Sequence, residues 1–242
     1  MSTKGFKASA ARFVVAAALV CGLIGLTVPG VHAATWMDPY LDQMVSWGIM
    51  RGDINGNLEP ERNITRAEFV SMVNRAYGYT EIGPNPYQDV ATTDWFYEDI
   101  CIARNVGYFS GMSNTVAAPL SPLTREQASM LIGKNMMLKE GTGETLGFND
   151  SRQFSDWSRH MIDAVAKEGV ISGYTDGSFR PQQNVTRGEV AVMLSKAIGT
   201  PIQEAGVHSL GGVYGNLTIN EPGVTLKDTV VNGDLYVSGG IG

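Results

Sequence analysis

Three arginines stand at one position of a recurring pattern, each directly after a threonine: Arg66, Arg125 and Arg187. Each threonine is followed three residues later by Glu or Gln, the spacing of a capping box, which predicts each arginine at the first position of a helix. A cation is unfavourable there, because the helix dipole attracts negative charge to that end. Free backbone amides beside a guanidinium group would bind a carboxylate or a phosphate. We interpret the three arginines as anion-binding residues, with a solvated or ion-paired arginine as the alternative.

The residues around each arginine predict how its helix begins and how the preceding helix ends. In a capping box the Thr hydroxyl accepts a hydrogen bond from the third helical amide, and the Glu or Gln side chain accepts one from the Thr amide. The predicted boxes are Thr65 with Glu68, Thr124 with Gln127, and Thr186 with Glu189. Glycines in the left-handed conformation commonly end helices. Three at equal spacing are predicted to do so: Gly48, Gly107 and Gly169.

A tryptophan begins each copy of the pattern, which reads Trp, eleven residues, Gly, seventeen residues, Arg. The three are Trp36, Trp95 and Trp157. Such registered recurrence indicates three copies of one structural unit. Each ring is predicted either to fill the core between helices or to stack on a sugar, and the residues alone leave both open.

Apolar spacing within each copy predicts a helix, a turn and a second helix. The fold class is therefore mainly α, with repeat 1 at residues 34–80, repeat 2 at 87–139 and repeat 3 at 148–199. Each second helix has one apolar stripe. Three such stripes are predicted to bury one another in a central bundle.

The tail, residues 207–242, has a different pattern. Residues 215–219 read Gly-Asn-Leu-Thr-Ile and recur eighteen residues later as Gly-Asp-Leu-Tyr-Val. This return predicts short strands and the start of a β-solenoid-like region. Two coils are too few to bury a solenoid core, so we expect the segment to be truncated.

The first 33 residues have the layout of a secretory signal peptide. Three basic residues precede an apolar stretch at 13–28, and Val-His-Ala at 31–33 is a small-residue cleavage site. Cleavage would change the formal charge from −6 to −9, because the segment has three basic residues and no acidic one. An acidic chain gains little from general attraction to nucleic acid or to an anionic membrane, so neither is predicted as a partner. Cys101 would be the remaining cysteine, which leaves no intrachain disulfide.

The motifs resemble those of bacterial S-layer homology domains. Residues 64–68 read Ile-Thr-Arg-Ala-Glu, the motif of that family. Residues 185–189 differ from it at one small residue, and residues 123–127 keep the Thr-Arg core. The run Gly-Val-Ile-Ser-Gly-Tyr-Thr-Asp-Gly-Ser-Phe-Arg-Pro at 169–181 is also very similar to the family pattern.

This resemblance implies a pseudo-threefold bundle of three domains with grooves between them. The grooves of the family bind secondary cell-wall polysaccharide, commonly through a pyruvate-ketal sugar, and in some double-membrane bacteria modified peptidoglycan. The carboxylate-binding role falls by match to Arg66, Arg125 and Arg187. The departure from the motif at residues 123–127 implies that the second groove either binds weakly or only shapes the bundle. The expected location is the cell wall or cell surface, and no cofactor or metal is implied.

Two other functions stay open alongside this non-catalytic anchor. One is an exported enzyme that acts on wall glycan, although the two histidines outside the signal peptide, His160 and His208, lie in no motif. The other is a subunit of an S-layer lattice. In both, the active or assembly region would lie beyond residue 242.

Overall fold

The computed structural model describes residues 35–143 and 147–239. The predicted signal peptide therefore lies outside the described residues. The helices are α1 (Asp38–Ser46), α2 (Arg66–Tyr77), α3 (Tyr97–Val106), α4 (Arg125–Asn135), α5 (Asp156–Lys167) and α6 (Arg187–Ile198), with a 3-10 helix at Ser151–Gln153. Each repeat thus contains two α-helices. No helix among the described residues is long and apolar enough to cross a bilayer.

The second helix of every repeat begins with a reciprocal capping box. In α2, the Thr65 hydroxyl accepts a hydrogen bond from the Glu68 amide, and the Glu68 carboxylate accepts one from the Thr65 amide. Thr124 with Gln127 and Thr186 with Glu189 form the same box in α4 and α6. Each box satisfies backbone groups that a helix start leaves unpaired, and it places the following arginine at the first helical position.

The first helices end at the glycines that share one register. Gly48, Gly107 and Gly169 have φ angles of 68°, 97° and 71°. Gly107 is itself the C-cap of α3, whereas Gly48 and Gly169 lie one residue beyond the C-caps of α1 and α5. Left-handed backbone at these positions reverses the chain, so that the next two apolar residues fold back on the helix.

The main helix contacts run between repeats, because the first helix of each repeat packs against the second helix of another. The contacting pairs are α1 with α6, α3 with α2, and α5 with α4, and α6 also contacts α2 and α4. Isolated antiparallel bridges join the loops before the second helices: Asn63 with Thr186, Thr65 with Pro122, and Thr124 with Asn184. These bridges connect the three repeats in a closed cycle around one apolar core.

Within the described part of the chain, five parallel-paired strands follow the helices. They are β1 (Thr200–Ile202), β2 (Gly206–Val213), β3 (Leu217–Ile219), β4 (Val224–Val231) and β5 (Leu235–Val237). Strands β1, β3 and β5 form one sheet, and β2 with β4 forms another. Leu217 is opposite Leu235, the offset of eighteen residues seen in the sequence. The strands begin at Thr200, somewhat before the predicted start of the tail at residue 207.

Polar side chains of this strand region donate hydrogen bonds to carbonyl groups at the C-terminal ends of two helices. Asn216 and Thr218 donate to the carbonyl oxygens of Ala197 and Ile198 in α6, at 2.9 and 2.8 Å. The Asn220 amide donates to the carbonyl oxygen of Ala76 in α2, at 3.0 Å. Carbonyl groups in the last turn of a helix have no partner within it. The strand region therefore packs directly on the helical core.

Candidate functional site

The three arginines are buried at the helix starts, with exposures of 4% for Arg66, 4% for Arg125 and 7% for Arg187. The expectation of free amides beside them is wrong. In α2 the amides of Arg66 and Ala67 donate to the carbonyl oxygens of Ser121 and Pro119, at 3.0 and 2.9 Å. In the same way, the first two backbone amides of α4 and of α6 donate to carbonyl oxygens in a loop of another repeat. Any anion at these sites must therefore be held by side chains.

Each loop that meets an arginine contains a strained residue before a proline. Glu59, Ala118 and Arg180 have φ angles of 48°, 53° and 59°, a region that residues with a side chain seldom adopt. The carbonyl group just before each strained residue accepts a hydrogen bond from an arginine Nε. The pairs are Leu58 with Arg187, Ala117 with Arg66, and Phe179 with Arg125, at 2.8 to 2.9 Å.

Aspartates hold two of these loops in place. The Asp89 carboxylate accepts hydrogen bonds from the amides of Ala117 and Ala118, at 2.9 and 2.7 Å. Asp150 accepts from the amides of Phe179 and Arg180, at 2.8 and 2.7 Å. These aspartates are at matching positions near the starts of repeats 2 and 3, and they fix the loops in a way that the sequence did not reveal.

At Arg187, all three guanidinium nitrogens have protein partners. Besides its Nε bond, Nη1 contacts Glu68 Oε1 at 3.0 Å and Nη2 donates to the Arg51 carbonyl oxygen at 2.9 Å. Burial lowers the pKa of Arg187, and the Glu68 charge opposes this effect. Burial raises the pKa of Glu68, but hydrogen bonds from Arg62 and Thr65 outweigh it and leave that pKa below its ordinary value. Glu68 is therefore an internal carboxylate at this site.

Arg125 has the same three kinds of partner. Its Nη2 donates to the Ser172 carbonyl oxygen at 2.9 Å, and Nη1 lies 3.5 Å from Glu189 Oε1. The Tyr174 hydroxyl donates to the same Glu189 oxygen at 2.6 Å, and the Arg125 guanidinium lies 4.6 Å from the Tyr174 ring centre. Burial and the bond to Glu189 raise the pKa of Tyr174 to about 12. The Arg125 guanidinium thus has partners within the protein on all three nitrogens.

Arg66 differs, because it keeps one of the three interactions. Its Nε donates to Ala117, and its guanidinium lies 4.9 Å from the Phe109 ring centre. Within the described residues, neither terminal nitrogen has a hydrogen-bond or ion-pair partner. The capping-box position that supplies a glutamate in the other two sites is Gln127 here.

The tryptophan rings are on the surface. Trp36, Trp95 and Trp157 are 65%, 61% and 50% exposed. The structure thus rules out the interpretation that these rings fill the core between helices. Exposed indole rings are available to stack on a ligand.

Two clefts at repeat boundaries bring a tryptophan and an arginine together. The Arg187 cleft has a volume of about 240 Å³ and is lined by Trp95 with Arg51, Glu59, Arg62, Glu68, Arg75 and Arg187 among others. The Arg125 cleft has a volume of about 560 Å³ and is lined by Trp36 with Arg125, Tyr174, Gln183, Glu189 and Lys196 among others. In both, the tryptophan comes from a different repeat than the arginine. A bound ligand would therefore contact more than one repeat.

A buried glutamate at the start of α4 was missed by the sequence analysis. The Glu126 side chain accepts hydrogen bonds from Ser155, Ser158 and Gln182, the hydroxyl bonds measuring 3.0 and 2.9 Å and the amide bond 2.6 Å. Ser155 also donates its backbone amide at 3.2 Å. Repeats 1 and 3 have the small residues Ala67 and Gly188 at this position. That departure was the available signal.

The described residues contain no group of three or more His, Cys, Asp or Glu side chains placed to hold a metal ion. Cys101 is buried within α3 and unpaired.

The sequence profile of the S-layer homology domain matches residues 31–70 and 147–191. These ranges include Arg66 and Arg187, and Arg125 lies outside both. The chain is thus similar to the S-layer homology domain over these two segments, which together make up less than half of its length.

Several curated proteins are similar to this chain over most of its length. The surface-layer 125 kDa protein of Lysinibacillus sphaericus is 29% identical over 199 residues, which are 81% of this chain and 17% of that protein. The cellulosome-anchoring protein of Acetivibrio thermocellus is 25% identical over 70% of this chain and 41% of its own length. An amylopullulanase of Thermoanaerobacterium thermosulfurigenes is 29% identical over 66% of this chain but 9% of its own length. The chain therefore spans a minor part of each relative.

Proposed function

We propose that this chain anchors an exported protein to the bacterial cell wall without a covalent bond. Its ligand is an acidic secondary cell-wall polysaccharide, with pyruvylated sugars as the recognised units, and modified peptidoglycan is the alternative ligand. The clefts between repeats are the binding sites, and the location is the cell surface. Arg66, Arg125 and Arg187 hold the acid groups, and the exposed tryptophans stack on sugar rings.

The observation that carries the proposal is the pairing of an exposed indole ring with a guanidinium in each of two clefts. A flat apolar ring next to a cation fits a sugar that carries a carboxylate, because the ring covers the sugar face while the cation binds the acid. Each charge-assisted bond contributes about 1.5–3 kcal/mol. Several clefts on one polymer chain would gain further affinity through effective concentration.

The proposed architecture is a pseudo-threefold bundle of three domains followed by the first coils of a β-solenoid. The cyclic bridges between repeats and the three matching capping boxes support the bundle. The parallel pairing of β3 with β5 at an offset of eighteen residues supports the solenoid. Relatives named for surface layers and for anchoring of cellulosomes fit the same role.

The test is co-sedimentation of the protein with purified cell wall. The double variant Trp36→Ala and Trp95→Ala removes both cleft rings without opening the core, since both are exposed. We expect its affinity to fall by at least about tenfold, the factor that corresponds to 1.4 kcal/mol. Tyr214→Ala is the matched control, because Tyr214 is 90% exposed in the strand region and lines neither cleft.

Wall treated to remove its acidic substituents is expected to bind little of the unmodified protein. Equal binding to treated and untreated wall would contradict recognition of an acid group. Release of reducing sugar from the wall would favour the enzyme alternative. Ordered assembly of the protein without any wall polymer would favour the lattice subunit.

A further inference from the structure

The three arginine sites differ in how many internal carboxylates they contain. Glu68 from the capping box of repeat 1 faces Arg187 of repeat 3, and Glu189 of repeat 3 faces Arg125 of repeat 2. The same cyclic order places the capping box of repeat 2 at Arg66 of repeat 1. That box contains Gln127, which is neutral. A ligand acid must therefore compete with a protein carboxylate at two sites but not at the third.

The Arg66 guanidinium is unusual because it is buried without a carboxylate. The Tyr87 phenol and the Asp89 carboxylate act on it electrostatically, but both Asp89 oxygens already accept hydrogen bonds from the amides of Ala117 and Ala118. The carbonyl contact that Nη2 makes at Arg125 and Arg187 also has no counterpart at Arg66 in the described ranges. Arg66 is largely buried and its charge has no ion-pair partner in the described ranges, which is unfavourable, and an external anion on the terminal nitrogens would offset this cost.

The Tyr87 hydroxyl is a second hydrogen-bond donor near the Arg66 guanidinium without a partner in the described part of the chain. The Tyr87 hydroxyl is buried and has no hydrogen-bond partner among the described residues. Its ring packs edge-on against Phe109, at 6.1 Å, and Phe109 is the ring over which the Arg66 guanidinium lies. Repeat 3 has Phe148 at the matching position, without a hydroxyl. The Arg66 guanidinium and the ring that carries this hydroxyl thus pack against the same aromatic ring.

We infer that the Arg66 site is the principal acid-binding site of this chain and takes one carboxylate on the two terminal nitrogens of Arg66, with the Tyr87 hydroxyl as a further donor. Gln127 is the residue that keeps the site open. This inference rests on the proposed function and reverses the expectation from the motif, under which the departure at residues 123–127 weakens a groove. Here the departure removes an internal competitor.

The test is a charge exchange at the capping-box positions. Gln127→Glu keeps the capping box and adds the missing internal carboxylate, so the variant is expected to fold at least as stably as the parent. The probe is the 4,6-pyruvate ketal of a methyl hexopyranoside, with its methyl ester as the uncharged control, measured by calorimetry. We expect Gln127→Glu to weaken ketal binding by at least about tenfold, because it replaces an open charge-assisted site with an occupied one.

Two variants serve as controls in the same titration. Gln153→Glu adds an equal charge at an exposed position and is expected to leave the affinity within about twofold, as screened surface charges do. Glu189→Gln removes the carboxylate that faces the Arg125 guanidinium, and this variant is expected to keep or raise the affinity for the ketal. Tyr87→Phe removes the second donor and is expected to weaken binding severalfold.

The outcomes separate this inference from the proposed function. If the unmodified protein binds the ketal and Gln127→Glu binds it equally well, the Arg66 site is not the principal site, although the anchor function stands. If the unmodified protein binds neither the ketal nor purified wall, both proposals fail. Equal affinity for the ketal and its methyl ester would also overturn the carboxylate assignment at Arg66.

Discussion

The start of α4 shows how one substitution in a repeated motif is matched by others. Gly188 is small, and its neighbour across the boundary, Met37, is apolar. Ala67 and Phe96 occupy the same two positions of the recurring pattern. At the third boundary Glu126 faces Ser158, which occupies the position of Phe96 and Met37 in the repeat. A buried carboxylate needs donors to offset its lost hydration. The change to Glu is therefore accompanied by a change to Ser.

We predict that Glu126→Ala destabilises the protein by about 1–3 kcal/mol, because the substitution leaves the backbone amide and the hydroxyl of Ser155 without their acceptor. The measurement is the free energy of unfolding in urea. Glu140→Ala, at an exposed glutamate, is the control and is expected to change stability by less than about 0.5 kcal/mol. Equal stability of the two variants would contradict the role of Glu126.

Single residues were predictable from the sequence where their partners are close in the chain. Thr65 and Glu68 are three residues apart, so their spacing alone predicts the capping box. Asp89 also recurs as Asp150, but its amide partners lie 28 and 29 residues away. The carbonyl groups that accept hydrogen bonds from the amides at the helix starts lie still farther away in the sequence. Nothing in local spacing indicates which loop arrives at which helix start.

At the scale of elements, the helix ends depend on left-handed glycines rather than on side-chain contacts. At Gly169 the φ angle is 71°, and an added Cβ would have no heavy atom within 4 Å. A substitution there is thus opposed by backbone strain alone. This makes the position a clean test of helix-end geometry.

Gly169→Ala is expected to destabilise the protein by about 1–2 kcal/mol, the strain of a left-handed residue with a Cβ. For a chain of this size, each kcal/mol lowers the melting temperature by about 2–4 °C. Gly169→Asn is the matched variant and is expected to lose less, because Asn tolerates this conformation better. A melting temperature that is lower for Asn than for Ala would contradict the argument.

The sequence predicts which residues of the strands pair with one another, but not where the strands pack on the helices. The eighteen-residue recurrence gives the pairing of Leu217 with Leu235, because parallel coils place equal residues opposite one another. It carries no information about what the strands pack on. The contact between Asn220 and Ala76 joins residues 144 positions apart. Long-range packing of this kind follows from the shape of the helical core.

At the scale of the whole molecule, the repeats are joined by mutual contacts, and the strand region is attached to two of them. It continues the chain from α6 in repeat 3, and Asn220 binds the end of α2 in repeat 1. Tyr236 also packs edge-on against Tyr77 of α2, at 6.2 Å. The strand region is therefore expected to be ordered by the helices.

We predict that Asn220→Ala loosens the strand region, because the carbonyl group of Ala76 loses a buried donor worth about 1–3 kcal/mol. Hydrogen exchange measured by mass spectrometry is expected to accelerate in β3 and β5, while the amides of α4 keep their protection. Asn232→Ala, at an exposed asparagine, serves as the control. Unchanged exchange in β3 would show that the Asn220 bond does not hold the strands.

The link between Asn220 and α2 also determines how a mechanical load would spread. A pull applied through the strands reaches repeat 3 along the covalent chain and repeat 1 through the Asn220 bond. The tension is thus divided between two domains before it reaches the bridges that join all three. Under the proposed anchoring function, shear on an attached protein would load several binding clefts together rather than one at a time.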